Sequence, residues 1–254
     1  MIKKPNFYSV IIGTELLNGR RKDAHFAFLN EQLLKRGWTH KASFVIEDDT
    51  KLMENIYNLI KADKNSVMFS YGGIGATPDD YTRQIAAKVF REGEMEYHEK
   101  AQELILNQFG DEAYPHRIEM GNLPINAKLL KNVVNNVAGF YLDDRFFFTP
   151  GFPSMSQAMV IEALDKHYSK NDLIKYRKTL TAFCGENDLI SLMKELPSEI
   201  ELSSLPKIID DKRQVVLSLS SLEQTLLDNS FQEFIDFCEE KNIKYILEDT
   251  NKIK

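Results

Sequence analysis

Through residues 7–91, short apolar runs alternate with amphipathic stretches of helical period, and this alternation restricts the fold more than any other feature of the chain. Phe7 to Ile12 is a compact apolar run closed by Gly13, suited to a buried strand. Asp23 is placed to cap a helix over 24–36, where Phe26, Leu29, Leu33 and Leu34 fall near helical spacing and Gly37 ends it. Residues 39–46 read as a second strand running into Glu47-Asp48-Asp49, 50–62 as a second helix and 66–71 as a third strand. A third helix is predicted from about Asp79 to Arg91. With right-handed crossovers, this β-α-β-α-β-α order puts the strands in one sheet with helices on both faces. The expected class is α/β: a three-layer α/β/α arrangement around a mostly parallel central sheet.

Ligands of such sheets bind beyond the carboxyl ends of the strands. Gly13-Thr14-Glu15, Asp48-Asp49 and the stretch from Gly72 to Asp80 all fall there, so three polar or glycine-rich segments should meet on one rim. The last of them is the most informative. An apolar strand enters Gly72-Gly73-Ile74-Gly75, and Thr77-Pro78-Asp79-Asp80 follows. Backbone N–H groups freed by glycines beside a helix N-terminus form an anion-binding concavity. The segment is neither a Walker A motif nor a G-x-G-x-x-G fingerprint, and Gly-Gly-x-Gly alone also serves ordinary turns. One aspartate suffices as an N-cap, worth about 1 kcal/mol. The second points to metal ligation or acid–base chemistry. Carboxylates beside an anion nest make most sense with Mg²⁺ between them and a phosphate.

Downstream, 94–108 reads as helical and 112–127 as turn-rich, with Pro115, Gly121 and Pro124. Gly139 to Leu142 and Arg145 to Phe148, joined through Asp143-Asp144, read as a β-hairpin. Thr149-Pro150-Gly151-Phe152-Pro153-Ser154 is a loop of one fixed shape before a helix at about 154–168. Ser169-Lys170-Asn171-Asp172 reads as a linker. Beyond it come a strand (176–183), a helix (187–195), strands (199–203 and 214–219), a helix (222–241) and a strand (243–247). Two domains are expected: 1–168, and a small α+β domain over 169–254.

Composition narrows the function classes. A net charge of -6 over 254 residues argues against nucleic acid as the main partner, and a small anion must then be held by local donors. Two cysteines, Cys184 and Cys238, give neither a disulfide framework nor a zinc site. The first residues are too short an apolar run for a signal or a membrane span, so the expected location is cytoplasmic. The five histidines are scattered without metal-ligand spacing and read as core or surface residues. No Gly-x-Ser-x-Gly elbow surrounds Ser70, Ser154 or Ser156. Phe146-Phe147-Phe148 reads as a buried strand, and Lys128, Lys131 and the Lys207-Asp210-Asp211-Lys212-Arg213 group as solvated faces.

The pattern Gly-Gly-x-Gly-x-Thr-x-Asp-Asp-x-Thr at 72–82 resembles the signature of the molybdopterin-binding (molybdenum cofactor biosynthesis) domain family, nearest its CinA-like, competence/damage-inducible branch. Gly13-Thr14-Glu15-Leu16-Leu17-Asn18-Gly19 is similar to that branch's Gly-Asp-Glu-Leu-Leu-x-Gly. Asp23, Asp48-Asp49, Ala138-Gly139-Phe140 and Pro150-Gly151-Phe152-Pro153 follow in family order, so the resemblance covers 7–168. Residues 177–247 resemble the small KH-type domain of CinA-like proteins, without a Gly-x-x-Gly RNA clamp. The carboxy-terminal deamidase-type domain of longer relatives is not expected.

The resemblance implies a small phosphorylated partner, either a molybdopterin-type pterin or a nucleotide. Gly72, Gly73, Gly75 and Thr77 would cradle its phosphate or pterin end, with Gly13 and Thr82 in the same set. Asp48 and Asp80 match two acidic positions that act in pterin adenylylation. Asp79 and Asp80 would hold Mg²⁺ or another divalent cation, Glu15 would ligate a cation or hydroxyl, and Gly151 and Pro153 would wall the pocket. Thr14 stands where the family usually has Asp, and His25 where it has Asn. Tyr71, Ala76 and Ala138 also depart from the pattern. Three readings stay open: a pterin-cofactor binding protein, a divalent-metal-dependent nucleotide (ADP-ribose) pyrophosphatase, and a degenerate module kept for homo-oligomerisation.

Overall fold

The computed structural model describes residues 2–172, 175–209 and 212–248. They form two compact units, 1–171 and 172–254. The first half of unit one holds β1 (Asn6–Ile12), α1 (Thr14–Leu17), α2 (His25–Lys35), β2 (His40–Ile46), α3 (Thr50–Ala62), β3 (Ser66–Tyr71) and α4 (Thr82–Phe90). There follow β4 (Met95–Tyr97), α5 (Glu99–Phe109), β5 (Asn122–Pro124), β6 (Lys128–Leu130), β7 (Gly139–Leu142), β8 (Phe146–Thr149) and α6 (Pro153–His167).

The central sheet runs β2-β1-β3-β8-β7-β6. Its first four strands are parallel, and β7 and β6 close it antiparallel. The period-2 alternation of β1 builds both faces at once. Phe7 and Ile11 join Leu29 and Leu33 of α2 and Met159, Val160 and Leu164 of α6 in one core. Tyr8, Val10 and Ile12 join Met53, Tyr57 and Ile60 of α3 and Ile85, Ala86 and Val89 of α4 in the other. All of Phe146, Phe147 and Phe148 are buried, as expected of a strand covered on both faces. Asp143 and Asp144 take positive φ values of 55° and 54°, the left-handed turn that joins β7 to β8.

Two expectations need correction. Asp79 and Asp80 do not open a helix, because α4 starts at Thr82. One oxygen of the Asp80 carboxylate, Oδ2, is spent on the preceding turn, accepting from Thr77 N–H at 2.8 Å. Residues 94–108 are not one helix either. Met95–Tyr97 pairs with Asn122–Pro124 as a two-stranded ribbon, and the helix begins at Glu99, where His98 Nδ1 accepts from Ala101 N–H at 3.3 Å. Long-range strand pairing has overridden local helical propensity here.

Unit two holds β9 (Tyr176–Ala182), α7 (Ile190–Glu195), β10 (Glu201–Ile209), β11 (Lys212–Ser221), α8 (Gln224–Glu240) and β12 (Tyr245–Glu248). Its sheet, β10-β11-β9-β12, is antiparallel throughout. The β10–β11 ribbon is longer than the sequence suggests, pairing Glu201 with Ser220 through to Ile209 with Lys212. Leu180, Leu217 and Leu219 of the sheet pack on Phe231, Phe234 and Cys238 of α8. Lys207, Lys212 and Arg213 are exposed, and Asp210 and Asp211 lie outside the described residues. Cys184 and Cys238 are free thiols, and burial pushes the Cys184 thiol up to about 11.

Candidate functional site

The carboxyl ends of β1, β2, β3 and β8 meet at one cleft of about 550 Å³, within the usual size of a small-molecule site. Gly13, Glu15, Asp48, Gly72, Gly73, Gly75, Thr77, Asp79, Asp80 and Gly151 all line it. Pro153 and Thr82, expected at the ligand, do not. Pro153 occupies the first turn of α6, where its fixed φ suits a helix start. Thr82 is fully buried below the glycine loop. Its hydroxyl donates to Gly72 C=O at 2.9 Å and its N–H to Gly73 C=O at 2.9 Å, so it ties the loop to the start of α4.

The glycine loop has a physical reason for each of its first two glycines. Gly72 and Gly73 adopt φ of 99° and 68°, which disfavour a side chain. A Cβ on Gly72 would stand 2.7 Å from Ile12 C=O, and one on Gly73 would stand 2.4 Å from Thr82 Oγ1. From beneath, Arg83, only 5% exposed, donates to Ile74 C=O at 2.7 Å and Gly75 C=O at 2.5 Å. In a trans peptide N–H is antiparallel to C=O, so the Gly75 and Ala76 N–H groups face away from Arg83. Among the described residues, the N–H groups of Gly73, Ile74, Gly75 and Ala76 have no acceptor within the chain. They form a row of four free backbone donors along residues that line the cleft.

The acids are held individually. Thr14 donates both its N–H and its hydroxyl to Asp48 Oδ2, each at 2.9 Å. Threonine thus supplies a donor to Asp48 where a carboxylate would repel it. Its neighbour Asp49 turns away and caps α3, accepting from Leu52 N–H at 2.6 Å. Asp80 Oδ2 accepts Thr77 N–H at 2.8 Å and the Thr77 hydroxyl at 2.5 Å. Asp48 and Asp80 therefore each commit Oδ2 to the protein and leave Oδ1 without a hydrogen-bond partner among the described residues. The Asp79 carboxyl is exposed. Arg21 faces Glu15 at 3.5 Å, donates to Gly151 C=O at 2.9 Å and lies over the Phe152 ring at 5.4 Å.

His25 supports the Gly151 rim. It is 4% exposed, stacks on Tyr71 with ring centroids 4.4 Å apart, and places Nε2 3.3 Å from Gly151 C=O. A carbonyl can only accept, so Nε2 carries the proton and Nδ1 receives the Ser156 hydroxyl at 3.3 Å. Burial lowers its pKa, against the opposing pull of the Gly151 carbonyl, and keeps the ring neutral. The departure from Asn is therefore structural: a satisfied buried histidine.

No group of three His, Cys, Asp or Glu that could hold a metal ion exists among the described residues. A cation caged by protein alone does not fit. A hard cation keeping its waters and bridging one or two carboxylates to a phosphate does, because that mode asks the protein for one or two oxygens.

Arg21, Arg83, Phe109, Met120, Asn132 and Asn135 escaped the sequence reading. All but Arg83 line the cleft. Arg83 left a trace: an arginine inside the otherwise apolar helix face 82–90. Asn132 and Asn135 left another, an Asn-x-x-Asn turn after an apolar strand. Phe109 and Met120 left none, because their place depends on the β4–β5 ribbon.

Residues 9–168 match the family described as a probable molybdopterin binding domain. A CinA-like protein of Fusobacterium nucleatum is 27% identical over 74% of this chain and 48% of its own length. Another, from Geotalea uraniireducens, is 30% identical over 60% of this chain and 37% of its own length. The chain therefore spans half or less of the length of these relatives. A solved structure described as the protein CinA, of unknown function, from Thermoplasma acidophilum is 25% identical over 63% of this chain and 97% of that one, with a TM-score of 0.57. The chain belongs to the molybdopterin-binding domain family, in its CinA-like branch.

Proposed function

We propose that this protein binds a small phosphorylated molecule, a molybdopterin-type pterin or a nucleotide, with its phosphate on the N–H row of Gly73 to Ala76. One observation carries the reading: four adjacent backbone donors without acceptors among the described residues, the Gly75 and Ala76 pair turned away from a buried arginine. An anionic oxygen is the natural complement of such a row of backbone donors. Thr77 and Gly151 bound the phosphate position, Glu15 and Gly13 form the β1 side, and Asp48, Asp79 and Asp80 bring negative charge beside it.

That charge requires a counter-ion. Asp48 and Asp80 would each offer the free Oδ1 to Mg²⁺ or a similar divalent cation, which when bound neutralises the phosphate and polarises it. The same geometry supports a second reading, hydrolysis of a nucleotide pyrophosphate such as ADP-ribose. In that reading one of Asp48 and Asp80 would hold the cation and the other would accept a proton from water as it attacks one phosphorus, breaking its bond to the bridging oxygen and releasing AMP and ribose 5-phosphate. Homo-oligomerisation completes the proposal, supported by the exposure of the neighbouring apolar residues Val133 (64%) and Val134 (54%). Light scattering after gel filtration tests self-association.

Incubation with ADP-ribose and Mg²⁺, Mn²⁺ or Co²⁺ separates the readings. AMP release that Asp80→Asn abolishes supports hydrolysis. Binding by calorimetry without turnover supports a binding protein. If neither ADP-ribose nor pyrophosphate binds with any of the cations, the phosphate reading falls and the degenerate module remains.

A further inference from the structure

The sheet of unit two has one edge that the chain leaves open. β10 ends the order β10-β11-β9-β12, and no strand among the described residues pairs with its outer side. The opposite edge is blunted by its length, since β12 has four residues whereas β10 has nine. Every residue of β10 except Ser204 is exposed, including Leu202, Leu205 (54%), Ile208 (74%) and Ile209. The sheet face away from α8 continues this surface. Leu180 and Leu217 pack on α8, so their neighbours Thr181 and Val216 point the other way. Leu205 pairs with Val216, Val216 with Thr181 and Thr181 with Ile246, one row across the sheet. Both ends of that row, Leu205 and Ile246, are more than half exposed.

Pro206 reports which backbone groups face outward. It pairs with Val215 within a continuous ladder, and a proline inside an edge strand turns its nitrogen to the open side. The alternation of the strand gives Leu202, Ser204 and Ile208 the same orientation, so their N–H groups face outward. Pro206 lacks a donor and Lys207 brings a charge, two devices that discourage pairing with an arbitrary strand. A second β10, antiparallel about a two-fold axis at Leu205, accommodates both. Leu202 then stands opposite Ile208 of the second copy, Ser204 opposite Pro206, and Leu205 opposite Leu205. Every outward N–H meets a carbonyl, and the two apolar rows join at Leu205. Each Lys207 lies diagonal to the other copy's Glu201, a separation that long side chains span. Glu201 accepts Lys175 through Oε2 and keeps Oε1 without a partner among the described residues. A shift of two residues in either sense sets Leu205 against Ser203 or Lys207 instead.

We propose that β10 is the interface between two copies of this chain, which pair antiparallel across Leu202 to Ile208 and merge their sheets into one. The occupant is a second copy because the strand complements itself, apolar side chain to apolar side chain and Lys207 to Glu201. Such a contact is isologous, so it closes as a dimer and uses up the open edge. It places self-association on a surface other than Val133 and Val134, and it holds whether or not the cleft takes a phosphate.

Sedimentation velocity of the full chain over a range of concentrations tests this. Wild type should form a reversible dimer. Leu205→Lys sets two like charges side by side at the axis and should weaken dimerisation by about tenfold or more. Position 205 is exposed, so far-UV circular dichroism should not change. Val133→Ser with Val134→Ser should leave the dimer intact. The register has its own readout, in a Cys184→Ser background with Cys238 fully buried. Leu205→Cys should cross-link to a covalent dimer under copper-catalysed air oxidation, and Leu202→Cys should not, because the axis brings only position 205 beside its own copy. A chain that stays monomeric at every concentration overturns the proposal, as does a dimer that L205K leaves intact. A dimer lost in the Val133 and Val134 variant but not in L205K overturns it while upholding self-association elsewhere. Cross-linking through Leu202→Cys and not Leu205→Cys overturns the pairing.

Discussion

Two loops that line the cleft present donors by opposite means. Across 72–77 the backbone is the binding surface: glycines remove side chains, and Arg83 pulls two carbonyls downward so that N–H groups are left free. Across 132–137 side chains do both tasks, Asn132 folding the turn and Asn135 presenting an amide. A backbone donor cannot be exchanged by substitution, so the first rim suits a feature common to many ligands, such as phosphate. A side-chain donor changes with one residue, so the second rim suits a feature that distinguishes ligands.

The largest expected effect comes from breaking the backbone rim. Gly72→Ala forces a side chain into φ 99° and against the Ile12 carbonyl, and should cost about 3 kcal/mol of stability and abolish pyrophosphate binding. Chemical denaturation and calorimetry measure the two losses. Arg83→Met tests the support below: the carbonyls of Ile74 and Gly75 lose their partner, for about 2 kcal/mol and a loss of more than tenfold in pyrophosphate affinity. Retention of wild-type affinity in that variant would show that the loop orients itself. On the side-chain rim, Asn132→Ala should cost about 1–2 kcal/mol with little change in pyrophosphate binding, which sharpens the contrast. Asp79→Asn, at an exposed position, should change stability by less than about 0.5 kcal/mol.

Acid tests a third rim, Gly151, which leans on neutral His25. Burial lowers the pKa of His25 and holds that of His40 down at about 4. The unfolded chain protonates both near pH 6.5, so between 6.5 and about 4 it binds more protons than the folded chain. Stability should therefore be complete above pH 6.5 and fall as the pH drops toward 4. Urea midpoints across that range read the slope, and His40→Gln should flatten it. An unchanged slope would remove His40 from the account.

Much of the glycine rim was legible in the sequence, because its requirements are local. An apolar run, three glycines and Thr77-Pro78-Asp79-Asp80 specify strand, turn and polar residues within seventeen positions. The strands and helices from 7 to 71 follow for the same reason, since side-chain period reports burial directly. What was misread depended on partners distant in sequence. Met95–Tyr97 is extended only because Asn122–Pro124 lies beside it. Thr82 looked like a ligand contact from its place in the motif, whereas packing buries it beneath the loop. The free amide of Asn135 exists only because Asn132 and Val137 take its oxygen.

By itself the sequence determined the α/β order, the family and the acidic, glycine-rich rim, since each is encoded in runs of neighbouring residues. Only the tertiary structure decided which donors are free and which carboxylate oxygens are spent. Those properties are what remains after hydrogen bonds and contacts between distant segments have been satisfied, and no stretch of sequence contains that remainder.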